Sequence, residues 1–266
     1  MAAMFVAALC FSACDHENGE ENENNQENTP STNLIPNAVQ DIDGNCYDAV
    51  RIGDQVWMAE NLRTTRYADG TAIPLGSENE YEEPSYDQPF RYYPNNADSN
   101  VNNYGYLYNW PAVMHDESSS DANPSGVQGI CPNGWHVPSD AEWSQLVTHL
   151  RSDSMYWGGG NSHDIAKAIA ATWGWDIPSH EDWSSSFAYM PGNNPETNNI
   201  SGFSAVPAGC YAGDGYHFFG ERASFWSSTE IYNINVFTYS IHHDFFDIEH
   251  LMSGKQTGLT VRCLQN

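Results

Sequence analysis

The run Pro138-Ser139-Asp-Ala-Glu142 constrains this chain more firmly than any other feature, because it fixes where a helix must start. Proline is excluded from helix interiors, Ser139 is a strong N-cap residue, and Glu142 stands three positions later to complete a capping box. Beyond it Trp143, Leu146, Val147 and Leu150 recur at helical spacing, so one face of a short helix ending near Arg151 is apolar. Just upstream, Cys131 and Trp135 supply a candidate half-cystine and a large side chain around the entering turn. These features are core architecture. They bear on fold and say little about chemistry.

The rest of the chain is read by its own punctuation. Tyr47–Ile52 and Gln55–Met58 are β-prone runs around Gly53-Asp54, a hairpin signal. Asp41-Ile-Asp-Gly-Asn ahead of them offers carboxylates and an amide, but it lacks the bidentate glutamate of a calcium loop and reads as a turn. Residues 69–103 form a long excursion rich in Asp, Glu, Asn, Pro and Tyr. Tyr104–Trp110 reads as a short aromatic strand ended by Pro111, and Ser162–Thr172 as a second helix with Ile165, Ala168, Ile169 and Thr172 on one face. Gly174-Trp-Asp-Ile-Pro-Ser-His-Glu-Asp-Trp nearly copies Gly134-Trp-His-Val-Pro-Ser-Asp-Ala-Glu-Trp. Serines follow the second copy where the first has an amphipathic run, so it reads as a turn or a single helical turn. Val236–His242 and Leu259–Leu264 are the clearest late strands, with turns at Gly213-Asp-Gly, Gly220 and Ser253-Gly. The expected class is α+β: two short helices on a twisted, mostly antiparallel sheet, with much of the chain in ordered loops.

Charge is lopsided, 35 acidic residues against 9 basic ones. Such a surface repels phosphate backbones, so nucleic acid is not an expected partner. Met1–Ala13 is apolar and too short to span a bilayer, and resembles the end of a secretory signal. Phe11-Ser-Ala-Cys14 resembles a lipobox with Cys14 as the lipid acceptor. The basic n-region is missing, which a start codon assigned downstream of the true one would explain. Asp15–Asn28 contains no apolar residue and cannot offset its ordering entropy, so residues 14–33 are expected to be a disordered acidic tether. The folded part is then residues 34–266, read as one domain, with the membrane reached through the lipid alone. Once Cys10 leaves with the signal and Cys14 takes lipid, Cys46, Cys131, Cys210 and Cys263 remain, and four half-cystines allow three connectivities.

Six ordered blocks then carry a resemblance. They are Asp41-Ile-Asp-Gly-Asn with Val50-Arg-Ile-Gly-Asp-Gln-Val-Trp-Met-Ala-Glu-Asn-Leu, Tyr104-Gly-Tyr-Leu-Tyr-Asn-Trp, the Cys131 segment, Gly202-Phe-Ser-Ala-Val-Pro-Ala-Gly, Phe225-Trp-Ser-Ser-Thr-Glu and Val261-Arg-Cys. Together they resemble the Fibrobacter succinogenes major paralogous domain of Bacteroidetes envelope lipoproteins, a family without a settled activity. The resemblance implies an outer-membrane lipoprotein, and the acidic run after Cys14 resembles a surface-export signal. More distantly the chain is similar to C-type lectin-like and formylglycine-generating-enzyme-like domains, which implies a C-type-lectin-like fold. Similar domains link the start of the main helix to the last strand. The resemblance therefore implies Cys131–Cys263, with Cys46–Cys210 as the remainder.

Catalytic signatures are missing. There is no zinc-binding H-E-x-x-H, no G-x-S-x-G elbow and no phosphate-binding loop, so neither an enzyme nor a cofactor is expected. His242-His-Asp244 with Asp247, Glu249 and His250 is the densest set of metal-type ligands, but its spacing fixes no third ligand and no metal site is assigned. The remaining signal is the span Ser227–His250, which gathers Tyr232, Asn233, Asn235, Phe237, Tyr239, His243 and Phe245. Aromatic rings stack on sugar C–H faces, and Asn or Asp can bond ring hydroxyls. These residues are the candidate ligand face, in the region where C-type lectin-like domains usually bind, although their calcium-binding triplets are absent. The expected function is recognition of a glycan or protein ligand at the cell surface. A structural subunit of an envelope or fimbrial complex is the alternative, and an envelope hydrolase stands third.

Overall fold

A computed structural model describes residues 33–76, 85–178 and 187–266. The signal-like segment, Cys14 and the tether up to residue 32 lie outside the described residues, as does the second Gly-Trp copy beyond Pro178. The described chain is a mixed α+β structure of short elements. In order they are β1 (Leu34–Gln40), β2 (Cys46–Ile52), β3 (Gln55–Met58), β4 (Arg91–Tyr92), α1 (Val101–Tyr104), β5 (Leu107–Tyr108), α2 (Trp110–Met114), β6 (Trp135–His136), α3 (Asp140–Ser152), α4 (Ala166–Ile169), β7 (Cys210–Ala212), β8 (Gly215–His217), β9 (Arg222–Ile231), β10 (Asn235–His242), β11 (Glu249–Gly254) and β12 (Leu264–Gln265). No described helix is long and apolar enough to cross a membrane.

The larger sheet has the antiparallel order β1-β2-β3-β12-β6. Its β2–β3 hairpin turns at Gly53-Asp54 as the sequence implies, pairing Ile52 with Gln55. The preceding turn is held by Asp41, whose Oδ1 accepts from the backbone N–H of Asp43 and Asn45 and whose Oδ2 accepts from Asn45 Nδ2 and Tyr47 Oη. That carboxylate is used up locally, as a turn requires. Leu264 pairs with both Trp57 and His136, so the end of the chain is inserted between β3 and the lead-in to α3. Cys131 and Cys263 precede the two paired strands and are joined as a disulfide.

Helix α3 starts with the complete capping box: Ser139 Oγ accepts from Glu142 N, and Glu142 Oε2 accepts from Ser139 N. Its buried face carries Trp143, Leu146 and Leu150. Trp143 is the hinge of the core. Its ring lies 4.5 Å from Trp57 of the larger sheet, and 5.5 and 5.1 Å from Phe225 and Tyr239 of the second. That second sheet is antiparallel, in the order β11-β10-β9.

Several expectations are corrected. Tyr104–Trp110 is not a continuous strand: only Leu107–Tyr108 pairs, and Pro111 sits in the first turn of α2, where no N–H is needed. Asn109 caps that helix by accepting from Ala112 N. The helix expected over Ser162–Thr172 shrinks to Ala166–Ile169, because Ala205 takes Ile169 O and offers its own carbonyl to Ala171 N, drawing the chain into a bridge. Leu259–Leu264 changes partner along its length, Leu259 bridging Tyr108 and Thr260 bridging Phe225 before β12 begins, so no long ladder forms. Ser253-Gly254 ends β11 and the turn falls at Lys255-Gln256. The pairing Cys46–Cys210 is also wrong. Cys210, in the small β7–β8 sheet, carries a free thiol, so it is not the partner of Cys46 on the larger sheet.

Candidate functional site

The late aromatic span does not form one face. Tyr232 and Asn233 occupy the β9–β10 turn with φ of +55° and +60°, and Tyr232 is 78 % exposed. Asn235 and Phe237 are half-buried on β10, Phe237 lying 4.7 Å from the His250 ring. Tyr239 is 3 % exposed, stacked on Trp143, with its hydroxyl bonded to Asp140 Oδ1 and Ser144 Oγ. It is a core residue and not part of a ligand face, because the strand face it shares with Phe237 runs under α3. His243 and Phe245 lie beyond the far end of β10, half-buried, His243 Nδ1 facing Asp176 O and Phe245 packed on Phe246. Eight residues of strand separate the two ends, or about 26 Å at ~3.3 Å per residue.

The histidine-rich stretch also disperses. His242 accepts a bond from Arg222 Nε and lies 3.2 Å from Glu249, and burial with the neighbouring Arg222 charge pushes its pKa down to about 4. His250 instead faces Asp140 at 2.7 Å, and Asp247 faces Arg151 and His163. Among the described residues no three His, Cys, Asp or Glu side chains converge as a metal cage.

A different place gathers recognition-type groups. A cavity of about 410 Å³ opens where the segment after β3, helix α1, the segment after α4 and the chain before β12 meet. Its floor is Arg262, fully buried, donating from Nε to Asn61 Oδ1 and from its terminal nitrogens to the carbonyls of Met58, Phe203 and Ser204. The guanidinium also lies over the Phe203 ring at 4.7 Å. Burial pushes its pKa down to about 9, so it stays charged at neutral pH with only neutral hydrogen-bond partners.

The walls are fixed by further bonds. Asn61 Nδ2 donates to Tyr104 O, and Asn199 makes two hydrogen bonds with Ser204, donating from Nδ2 to its Oγ and accepting at Oδ1 from its N–H. Gly105, at φ +75°, ends α1 against Asn61 so closely that a Cβ would come within 2.6 Å of the Asn61 Cβ and 2.7 Å of Leu62 O. The rim, by contrast, has unspent groups. Trp173 is 43 % exposed, its ring held edge-on to Tyr104 at 5.3 Å. Asn102 and Asn103 are exposed, and among the described residues their carboxamides bond to no partner.

None of these rim residues is singled out by sequence spacing. The available signal was weak: Trp173 stands on no apolar periodicity, and Asn102-Asn103 sits inside the unpatterned excursion. Neither a curated protein nor a solved structure matches the chain. The model of the Fibrobacter succinogenes major domain matches residues 50–265, most of the chain, which thus belongs to the Fibrobacter succinogenes major domain family.

Proposed function

We propose that this protein is a surface lipoprotein of the cell envelope whose single domain, residues 34–266, has a C-type-lectin-like fold and recognises a glycan or protein ligand without catalysis. Cys14 is its lipid acceptor, and the acidic run that follows is its tether. The observation that carries the reading is the cavity beside Trp173: a rigid, self-satisfied floor beneath an exposed aromatic ring and two uncommitted carboxamides. Preformed concavity with few convergent polar groups is what small-ligand recognition uses. Support for the lectin-like topology is the disulfide that ties the approach to α3 to the final strand. Support for an oxidising compartment is the same crosslink.

The test compares Trp173→Ala and Tyr232→Ala in binding to a panel of immobilised polysaccharides, mucins and matrix proteins. Loss of about tenfold or more in affinity with Trp173→Ala alone, at unchanged thermal stability, is the expected result. Binding that survives Trp173→Ala and disappears with Tyr232→Ala would move the site to the β9–β10 turn.

An assembly role is the second reading, and one observation favours it. Tyr232, Ile234 and Met252 are exposed by 78, 55 and 57 % at one end of the β9–β10–β11 sheet, where β11 is an edge strand. Exposed edges and apolar side chains suit protein contacts. Sedimentation of the purified protein over a wide concentration range tests it, since a subunit with a self-complementary edge would associate.

A further inference from the structure

We infer that the Trp173 cavity takes a neutral saccharide of one to three units, bound without a metal ion; this rests on the cavity being the recognition site. Size comes first. Ligand pockets span roughly 300–1,000 Å³, and a volume of about 410 Å³ lies at the small end. The second ground is the aromatic platform. Trp173 lines the cavity with its side chain 43 % exposed, and its contact with Tyr104, itself packed on Phe219 at 4.7 Å, limits its rotation. A flat, fixed ring suits the C–H face of a pyranose.

The polar groups complete the match. The Asn102 and Asn103 carboxamides each present a donor pair and an acceptor, as vicinal hydroxyls require. Glu60, with its side chain 44 % exposed, adds a carboxylate acceptor that, among the described residues, is bonded by Arg63 alone, at 3.4 Å. Charge at the cavity balances, with Asp48 and Glu60 against Arg63 and Arg262. Arg262 spends four of its five N–H donors on the protein and has no exposed surface, so it cannot clamp an acidic group. The net charge of −26 further repels uronate, sulfated or sialylated chains. A metal-bridged mode is also disfavoured by the donor set: Asp48 is held by Asn37 N and Glu60 by Arg63, and the two lie on different segments.

The experiment is an array of neutral and acidic oligosaccharides probed with the whole protein, with and without EDTA, followed by calorimetric titration of the strongest neutral oligosaccharide. Neutral sugars should bind, EDTA should change nothing, Trp173→Ala should weaken binding about tenfold or more, and Trp173→Phe should restore much of it. Asn102→Ala and Asn103→Ala should each weaken it severalfold without moving the melting temperature. Acidic sugars as the sole binders, or binding abolished by EDTA, would overturn the ligand class and leave the cavity standing provided Trp173→Ala removes the signal. Sugar binding indifferent to Trp173→Ala would overturn the cavity itself. No binding anywhere on the array would overturn the saccharide class, with the matrix-protein arm of the binding panel then deciding the site.

Discussion

His136 Nε2 lies 2.9 Å from Glu142 Oε1, and both side chains are almost wholly buried, at 3 and 2 % exposure. Glu142 is thereby committed at both oxygens, Oε1 to the imidazole and Oε2 to the N–H groups of Ser139 and Ser125. The other ring nitrogen of His136 faces Asn266 Oδ1 at 2.7 Å. One carboxylate therefore caps α3, pins the loop before it and holds a strand residue of the larger sheet.

The pair predicts a pH dependence. Burial alone lowers the His136 pKa, but the Glu142 hydrogen bond and charge and the Asn266 contact together outweigh it, and the net shift is upward. A group raised in the folded state contributes stability that is complete below its unfolded value of about 6.5 and is lost as pH rises through the folded value. The stability difference between wild type and His136→Asn, from denaturant unfolding, should therefore be largest near pH ~6 and shrink towards pH ~9. A difference that stays constant across that range would show that the imidazolium form contributes nothing.

Crosslinking gives a second prediction. Cys131 and Cys263 are separated by 132 residues, so removing both cysteines should cost about 3–5 kcal/mol in the unfolded-state entropy account. Cys210 should alkylate in the native protein, slowly near neutral pH and faster above pH ~9, because burial first and Asp214 next raise its pKa against the opposing Arg222 charge. Non-reducing peptide mapping should recover Cys131 with Cys263 and Cys210 unpaired. A Cys46–Cys210 peptide would refute the arrangement.

A third prediction separates the two tyrosines once grouped on one ligand face. Tyr239→Ala removes a ring stacked on Trp143 and His250, and should cost about 3–5 kcal/mol as a core truncation. Tyr232→Ala, at an exposed turn, should change stability by no more than ~0.5 kcal/mol. Equal losses in thermal unfolding would contradict the burial difference.

These residues also show which parts of the molecule were legible in the sequence. The capping box, the Gly53 turn and the Asp41 turn were readable because each is completed within a few residues. Helix α4 was overestimated because its end is set by Ala205, more than thirty positions away. Tyr239 was misplaced because alternation along β10 says which residues share a face and not which face α3 covers. The cavity was invisible for the same reason: Glu60, Asn102, Trp173, Asn199 and Arg262 meet only through the fold. Its one local trace was Val261-Arg-Cys, which marked Arg262 without saying what it holds.

Arg262 carries the last prediction. Its side chain joins four acceptors from two segments, Asn61 Oδ1 and the Met58 carbonyl on one and the carbonyls of Phe203 and Ser204 on the other. Lysine keeps the charge but replaces a planar fork with a single ammonium, which cannot reach all four at once. Arg262→Lys should leave buried carbonyls unpaired and cost about 2–4 kcal/mol, at ~1–3 kcal/mol for each unsatisfied group with partial relaxation. Arg262→Met should cost no less, since it leaves every acceptor empty. Asn61→Ala and Arg262→Lys share one network, so their combined loss should fall short of the sum by more than ~0.5 kcal/mol. Additive losses in a double-mutant cycle would mean that the guanidinium and the Asn61 amide act separately, and that the cavity floor is not held as one unit.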